Sequence, residues 1–287
     1  MTNPTEHRVA IVGAGVMGTG IATLALGHGI PVVLVDVDDG TLETARGRIH
    51  QQLRHAQLMG ALPAGREQGE LTCTVALAEA AEATAVIEAV TESAETKAKV
   101  FAELSAAVRP GTPLISNTSG IPIAEMAGWT TRPEDLVGTH FMNPSYLIRM
   151  VEVSRGPRTA DATVEAVVAL LTALGRRAVL VQDAAGFVTS RLLHPMINAA
   201  ARIVEEGTAT VEAVDELMEG CLGHPTGPLR TADLIGLDNL VDSLAALYER
   251  TGEDNCKPCD LLLSKVRDGE LGRKSGHGFY DYGKAMS

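Results

Sequence analysis

The segment GTHFMNPSYLIRMVEV, Gly138 to Val153, places His140 twelve residues before Glu152, each beside an apolar run. A histidine exchanges protons near neutral pH, and a carboxylate against it fixes its tautomer and steadies the imidazolium. The pair reads as a general base with its orienting carboxylate, or as two polar residues closing the edge of a core. A second constellation, VAIVGAGVMGTG, sets Gly13, Gly15 and Gly18 in GxGxxG spacing between an apolar run and a helical pattern. The first glycine permits a tight turn, the second lets a pyrophosphate approach the backbone, and the third lets the helix pack closely. Val16 and Met17 belong to the same turn, where a helix N-terminus faces the negative charge. The next apolar run ends in Asp36, eighteen residues after Gly18. A carboxylate there accepts both hydroxyls of an adenosine ribose and repels a 2′-phosphate, which favours NAD over NADP.

Further polar residues stand where apolar runs end: Glu88 in IEAVTES with Lys97 beyond it, then Asn117 and Ser119 in ISNTSG. Bound dinucleotides lie at the carboxyl ends of parallel strands. Polar residues at such ends also cap helices, so Ser119 stays open between the two roles.

The elements that must position these groups are legible as a pattern. Strand-like runs fall at 8–13, 31–36, 84–90, 112–117, 135–141, 150–154 and 177–182, with helical segments at 16–26, 41–59, 94–108 and 162–174. Val- and Ile-rich strands alternating with helices predict a mainly parallel, doubly wound sheet of Rossmann type, covered on both faces. The strands after residue 130 follow one another closely enough for antiparallel pairing. From DAAGFVTSR onward only helices are expected, at 189–206, 210–219, 232–250 and 260–268, with Thr210 and Thr231 as N-caps. The expected domains are therefore 1–183, binding the dinucleotide, and an all-helical 184–287.

Composition narrows the class. The chain has 287 residues, 45% of them hydrophobic but only 3% aromatic, so Ala, Val, Leu and Ile must fill the interior. A net charge of -12 without a basic run argues against nucleic acid or an anionic membrane as partner. No signal segment precedes Val9 and no run approaches a membrane span, so a cytoplasmic protein is expected. Four cysteines do not make a disulfide scaffold, and the CxxC of Cys256 and Cys259 lacks a second ligand pair, so no metal is expected.

In order, VGAGVMGTGIA, VIEAVTES, SNTSGIPI, GTHFMNP, MVEV, DAAGFVTSRLL, GHPTGPLRTADLIGLD and LGRKSGHGFYDY resemble the 3-hydroxyacyl-CoA dehydrogenase family across nearly the whole chain. The resemblance implies NAD-dependent oxidation of a short 3-hydroxyacyl thioester. It makes His140 the catalytic histidine, Glu152 its partner and Ser119 a serine near the reacting oxygen. Asn117 matches an asparagine near the nicotinamide ribose, and Glu88 and Lys97 match cofactor-side residues. Asn143 and Ser190 fall on the substrate side. The family also implies a homodimer, for which Leu192, Leu193, Met196, Ile197, Ala200 and Ile203 offer an apolar helix face. Oxidising a secondary alcohol needs a base for the hydroxyl proton while hydride leaves the carbon, so the chemistry favours the His140–Glu152 dyad.

Two departures bear on the substrate. Ser190 stands where the family usually has an asparagine, and a serine offers a hydroxyl in place of an amide. Between Asp36 and the next strand the family often has lysines that meet the CoA phosphates; here stand Arg46, Arg48, Arg54 and Arg66, among Glu43, Glu67 and Glu70. Both leave room for an acyl carrier protein as the thioester carrier, as in relatives that oxidise a glyceryl unit in polyketide extender-unit biosynthesis. Oxidation of a small free hydroxy acid, as in gulonate- or carnitine-type relatives, and a non-catalytic NAD-binding module are the other readings.

Overall fold

The computed structural model describes residues 7–283 and divides the chain into two compact units, Met1–Ala184 and Ala185–Ser287. The first unit begins β1 (Val9–Val12), α1 (Val16–Gly27), β2 (Val32–Val35), α2 (Asp39–Leu58), β3 (Leu71–Thr74). It continues with β4 (Ala85–Glu88), α3 (Ala94–Ala107), β5 (Leu114–Ser116) and a single turn, α4 (Ile123–Met126). It closes with β6 (Leu136–His140), β7 (Met150–Arg155), α5 (Asp161–Ala173) and β8 (Arg177–Gln182). The eight strands form one sheet in the order β3-β2-β1-β4-β5-β6-β7-β8. All neighbours are parallel except β6 and β7. The order reverses between β1 and β4, and at such a switch point the loops diverge and leave a crevice for a ligand.

The central strands β1, β2 and β4 are buried along their whole length, as helices on both faces require. Helix α1 is buried from Gly18 to Gly27, and its small and apolar residues let it pack on the sheet all round. Ile11, Ile21, Leu24, Leu34, Ile87 and Leu170 form the heart of this core. One expectation needs correction. The edge strand β3 has no counterpart in the sequence reading: LTCT is short, half exposed and paired only to β2. Among the close-set strands after residue 130 the antiparallel pairing is found, β7 running against β6, while β8 runs parallel to β7.

The second unit contains α6 (Thr189–Glu205), α7 (Val211–Leu222), α8 (Pro228–Ile235), α9 (Leu237–Thr251) and α10 (Asp260–Arg267). Its core gathers Ile197, Leu229, Leu237, Leu240, Leu244 and Leu262. Thr210 caps α7, its hydroxyl accepting the Ala213 N–H. The expected helix over 232–250 is two helices, because Gly236 sits at φ +95, which ends α8 before α9 begins. Nor is Thr231 a cap: α8 starts three residues sooner, with Pro228 in its first turn, where a missing N–H costs nothing. The carboxylate of Asp233 accepts the N–H groups of Phe279 and Tyr280, which pins the C-terminal segment to α8. Burial raises the Asp233 carboxyl above its usual range, and burial together with Asp233 pushes the Tyr282 hydroxyl up to about 12.

Candidate active site

The glycine turn after β1 is built for close approach. Gly13 has φ +106, and a Cβ there would lie 2.5 Å from the Ala89 carbonyl oxygen. A side chain on Gly18 would run into the Gly13 carbonyl, so α1 packs at this distance only with glycine. Gly15 is different: nothing lies within 4 Å of where its Cβ would stand. Its residue is the N-cap of α1, with no side chain satisfying the first N–H groups. Val16 is exposed beside it, whereas Met17 packs partly against the core. Asp36 follows β2, its Oδ2 accepting the Ala14 N–H at 2.7 Å and its Oδ1 the Val37 N–H at 2.8 Å. Each oxygen keeps a second lone pair for a ribose hydroxyl. A cleft of about 430 Å³ runs here, bordered by Ala14, Gly15, Asp38, Thr41 and Arg48. Open space over Gly15, an uncapped helix start and a carboxylate at the strand end fit an adenine dinucleotide with a free 2′-hydroxyl.

Beyond β4 a buried charge cluster supports the next loop. The Lys97 Nζ lies 2.6 Å from Glu88 Oε1 and 3.1 Å from Glu92 Oε2. Glu88 also accepts from the Ser116 hydroxyl at 2.7 Å and the Val90 N–H at 2.9 Å. Burial raises the Glu88 carboxyl above the usual range, against the pull of Lys97. Glu88 and Lys97, expected on the cofactor side, are fully buried and spend their polar ends on this cluster. Glu92, which sequence reasoning missed, reaches the loop after β5: it accepts from the Thr118 hydroxyl and from the N–H groups of Ser119 and Gly120 at 3.0 and 3.1 Å. Burial alone would raise Glu92, but the Lys97 charge and these bonds outweigh it and hold the carboxyl low. Its signal was present in IEAVTES, where the second glutamate, and not the first, stands past the end of the strand.

Asn117 follows β5, and its Oδ1 accepts the Phe141 N–H at 3.1 Å, which ties that strand end to the residue after His140. His140 ends β6 directly opposite Glu152 of β7 in the antiparallel register. The His140 Nδ1 lies 2.9 Å from Glu152 Oε2, both side chains being about nine-tenths buried. Glu152 thereby selects the tautomer with hydrogen on Nδ1. The connection between the two strands carries Asn143, exposed, in a cis bond to Pro144. Arg176 braces it, its guanidinium donating to the carbonyls of Ser145 and Tyr146 at 3.2 and 2.9 Å. Burial, with Arg149 repulsion second, brings Arg176 down to about 10. Asn117, Ser119, His140 and Glu152 are thus gathered at the carboxyl ends of β5 and β6 and the facing start of β7.

Family models for the 3-hydroxyacyl-CoA dehydrogenase NAD binding domain and C-terminal domain match residues 8–184 and 186–282. The chain belongs to the 3-hydroxyacyl-CoA dehydrogenase family. It is accordingly an NAD-dependent dehydrogenase acting on a hydroxyl group. A probable 3-hydroxybutyryl-CoA dehydrogenase of Bacillus subtilis is 40% identical over 283 residues, 98% of this chain and 99% of the relative. Among solved structures, FadB2 of Mycobacterium tuberculosis matches with a TM-score of 0.92 and 39% identity, covering 96% of this chain and 99% of that one. The (S)-3-hydroxybutyryl-CoA dehydrogenase of Ralstonia eutropha gives 0.86 and 35%, covering 97% and 99%.

Two groups of residues singled out in the sequence are divided in the structure. The arginines of α2 do not act as a group: Arg46 and Arg54, with His50, line a shallow cleft, whereas Arg48 borders the cleft at Gly15. The apolar face of α6 is also divided. Ile197 and Ala200 are buried in the core of their own unit, and only Leu192 and Ile203 of the expected set are well exposed. Ser190 lies in the first turn of α6 and is buried. Among the described residues no cluster of His, Cys, Asp or Glu suits a metal ion, and no helix is long and apolar enough to cross a membrane.

Proposed function

We propose that this chain oxidises the 3-hydroxyl of a short 3-hydroxyacyl thioester, 3-hydroxybutyryl-CoA-like, with NAD as acceptor and His140 as base. The observation that carries the proposal is the 2.9 Å contact between His140 Nδ1 and Glu152 Oε2 at the carboxyl end of the sheet. Bound NAD supplies the hydride acceptor. The imidazole of His140 takes the hydroxyl proton, and Glu152 stabilises the imidazolium that forms. Ser119, on the loop held by Glu92, donates to the reacting oxygen. Gly13, Gly15, Val16, Met17, Gly18, Asp36 and Asn117 form the NAD side, with Glu88 and Lys97 acting through Glu92. Asn143 and Ser190 meet the substrate. Incubation with NAD and, in parallel, 3-hydroxybutyryl-CoA, a hydroxyacyl carrier protein and free hydroxy acids tests this by absorbance of the reduced cofactor. Reduction with free acids alone, or with none, would sink the thioester reading.

A second reading keeps the chemistry and changes the carrier to an acyl carrier protein bearing a polar unit such as a glyceryl group. Arg46, His50 and Arg54 along one cleft of about 610 Å³ favour it, since an acidic carrier needs local positive charge on an enzyme of net charge -12. Raised salt then weakens the protein-borne substrate more than the free thioester. We further propose a cytoplasmic homodimer, with 1–183 binding NAD and 184–287 serving substrate and association. Exposed Leu192 and Ile203 of α6 support the association, and light scattering at micromolar concentration tests it.

A further inference from the structure

The loop that carries Ser119 follows β5 and ends in the single turn of α4, and side chains take its backbone N–H groups one after another. Ser119 and Gly120 donate to Glu92 Oε1 at 3.0 and 3.1 Å, and Ile121 donates to the Thr118 hydroxyl at 3.0 Å. Residue 122 is proline and has no N–H. Ile123 and Ala124 donate to the two carboxylate oxygens of Asp183, at 2.8 and 2.7 Å. Every N–H from 119 to 124 is thereby spent, and the Ser119 hydroxyl enters none of these bonds.

Asp183 is the member of this set that comes from farthest away, 60 and 59 positions along the chain from the groups it accepts. The first N–H groups of a helix are commonly capped by the residue just before it, but Pro122 stands there without a polar side chain. The Ser154 hydroxyl donates to the same Asp183 Oδ1 at 3.3 Å. Ser154 faces Gly138 across the β6–β7 ladder, two positions from the facing pair His140 and Glu152. The Ile123 side chain is seated on the same strands: a Cβ at Gly138 would lie 2.8 Å from its Cδ1, and one at Gly156 2.8 Å from its Cγ2. The start of the loop is tied there as well, through Asn117 Oδ1 and the Phe141 N–H.

We infer that Asp183 is a positioning residue, which fixes the end of the Ser119 loop to the strands of His140 and Glu152 and so holds the Ser119 hydroxyl in register with the base. This rests on the proposed dehydrogenase reading, in which Ser119 donates to the reacting oxygen. With its backbone donors spent from 119 to 124, this stretch of the loop meets that oxygen through the Ser119 side chain. A donor held in place needs no reorganisation as charge develops on the oxygen. Misplacing such a group by about 1 Å can cost about a hundredfold in rate. Glu92 grips the middle of the loop and Asp183 its end, so the two carboxylates act on different parts of it.

The test is a double-mutant cycle in the full chain, with NAD and 3-hydroxybutyryl-CoA as substrates. We expect Asp183→Ala to lower kcat by about tenfold, and by no more than Ser119→Ala does, while NAD affinity stays within a few-fold of the parent. In a Ser119→Ala background the same change should cost less than about threefold, because the group that it positions is already gone. Asp183→Asn keeps the shape and one acceptor, so its loss should be smaller but equally dependent on Ser119. It decides the matter if Asp183→Ala does not fold. An equal loss in both backgrounds is the mark of a merely structural carboxylate and overturns the inference, with the dehydrogenase reading intact. An unchanged kcat in the Asp183 variants overturns it likewise, and so does a Ser119→Ala protein as active as the parent. No reduced cofactor from the parent overturns the inference and the reading together.

Discussion

The Lys97 ammonium lies 2.6 Å from the Glu88 carboxylate, and neither side chain is exposed by more than 1%. Removing one member of a buried pair leaves an uncompensated charge, which typically costs about 3–5 kcal/mol. Lys97→Met should therefore destabilise the protein by that amount in urea unfolding. Adding Glu88→Gln to the Lys97→Met protein should recover part of the loss. A cost of Lys97→Met below about 1 kcal/mol, the range of an exposed pair, would contradict this account of the cluster.

His140→Gln should lower kcat by about a hundred- to ten-thousand-fold while NAD binding stays within a few-fold of the parent. Glu152→Gln keeps the shape of the contact but withdraws the charge that steadies the imidazolium, so its loss should be smaller. Retention of more than about a tenth of the activity in His140→Gln would remove the histidine from the role of base.

Gly15 and Gly18 belong to one motif but should fail differently. Gly15→Ala meets no protein atom, so stability in thermal melts should hold within about 0.5 kcal/mol while NAD binding weakens sharply. Gly18→Ala drives a methyl into the Gly13 carbonyl and should lower the melting temperature as well. Unchanged NAD affinity in Gly15→Ala would show that the cofactor does not lie over this turn.

Glu92 should leave a mark on acid stability. Its folded-state carboxyl is held below the ordinary value, so the stability it contributes is present above about pH 4.3 and is lost as the pH falls through the lowered value. Glu92→Gln should thus be less stable than the parent at neutral pH and approach it in acid. Parallel melting curves from neutral to strongly acid buffer would reveal a constant offset if the carboxylate did not matter.

Ser190→Asn should shift preference toward plain 3-hydroxybutyryl thioesters by about 1–2 kcal/mol, the size of one hydrogen bond at the substrate. Competition between 3-hydroxybutyryl and 2,3-dihydroxybutyryl thioesters of pantetheine measures it. An unmoved preference would mean that Ser190 does not meet the acyl unit.

Much of this architecture is legible in the sequence because its signals are local. The Val- and Ile-rich runs of β1, β2 and β4 and the helical pattern of α1 mark a parallel sheet without any tertiary information. What was hidden depends on partners. LTCT is a strand only because β2 offers it a free edge. The break between α8 and α9 rests on one glycine within an otherwise continuous helical pattern. Glu88 and Glu92 are alike in type and neighbourhood, and only the direction of the strand end sends the first inward and the second toward the loop. On α6, periodicity identified an apolar stripe but not which part of it Leu229 and Leu240 already cover.

The reversal between β6 and β7 has a consequence for when the His140–Glu152 pair comes into being. His140 and Glu152 face each other across a tight return, only twelve positions apart in the sequence. The entropy of closing so small a loop is slight compared with that of recruiting a residue from a distant segment. The His140–Glu152 contact is therefore assembled by the folding of the first unit itself, so that under the proposed mechanism the base is aligned before an alcohol is delivered to it. Under that mechanism, binding energy from the substrate is left available for holding the alcohol carbon against the cofactor.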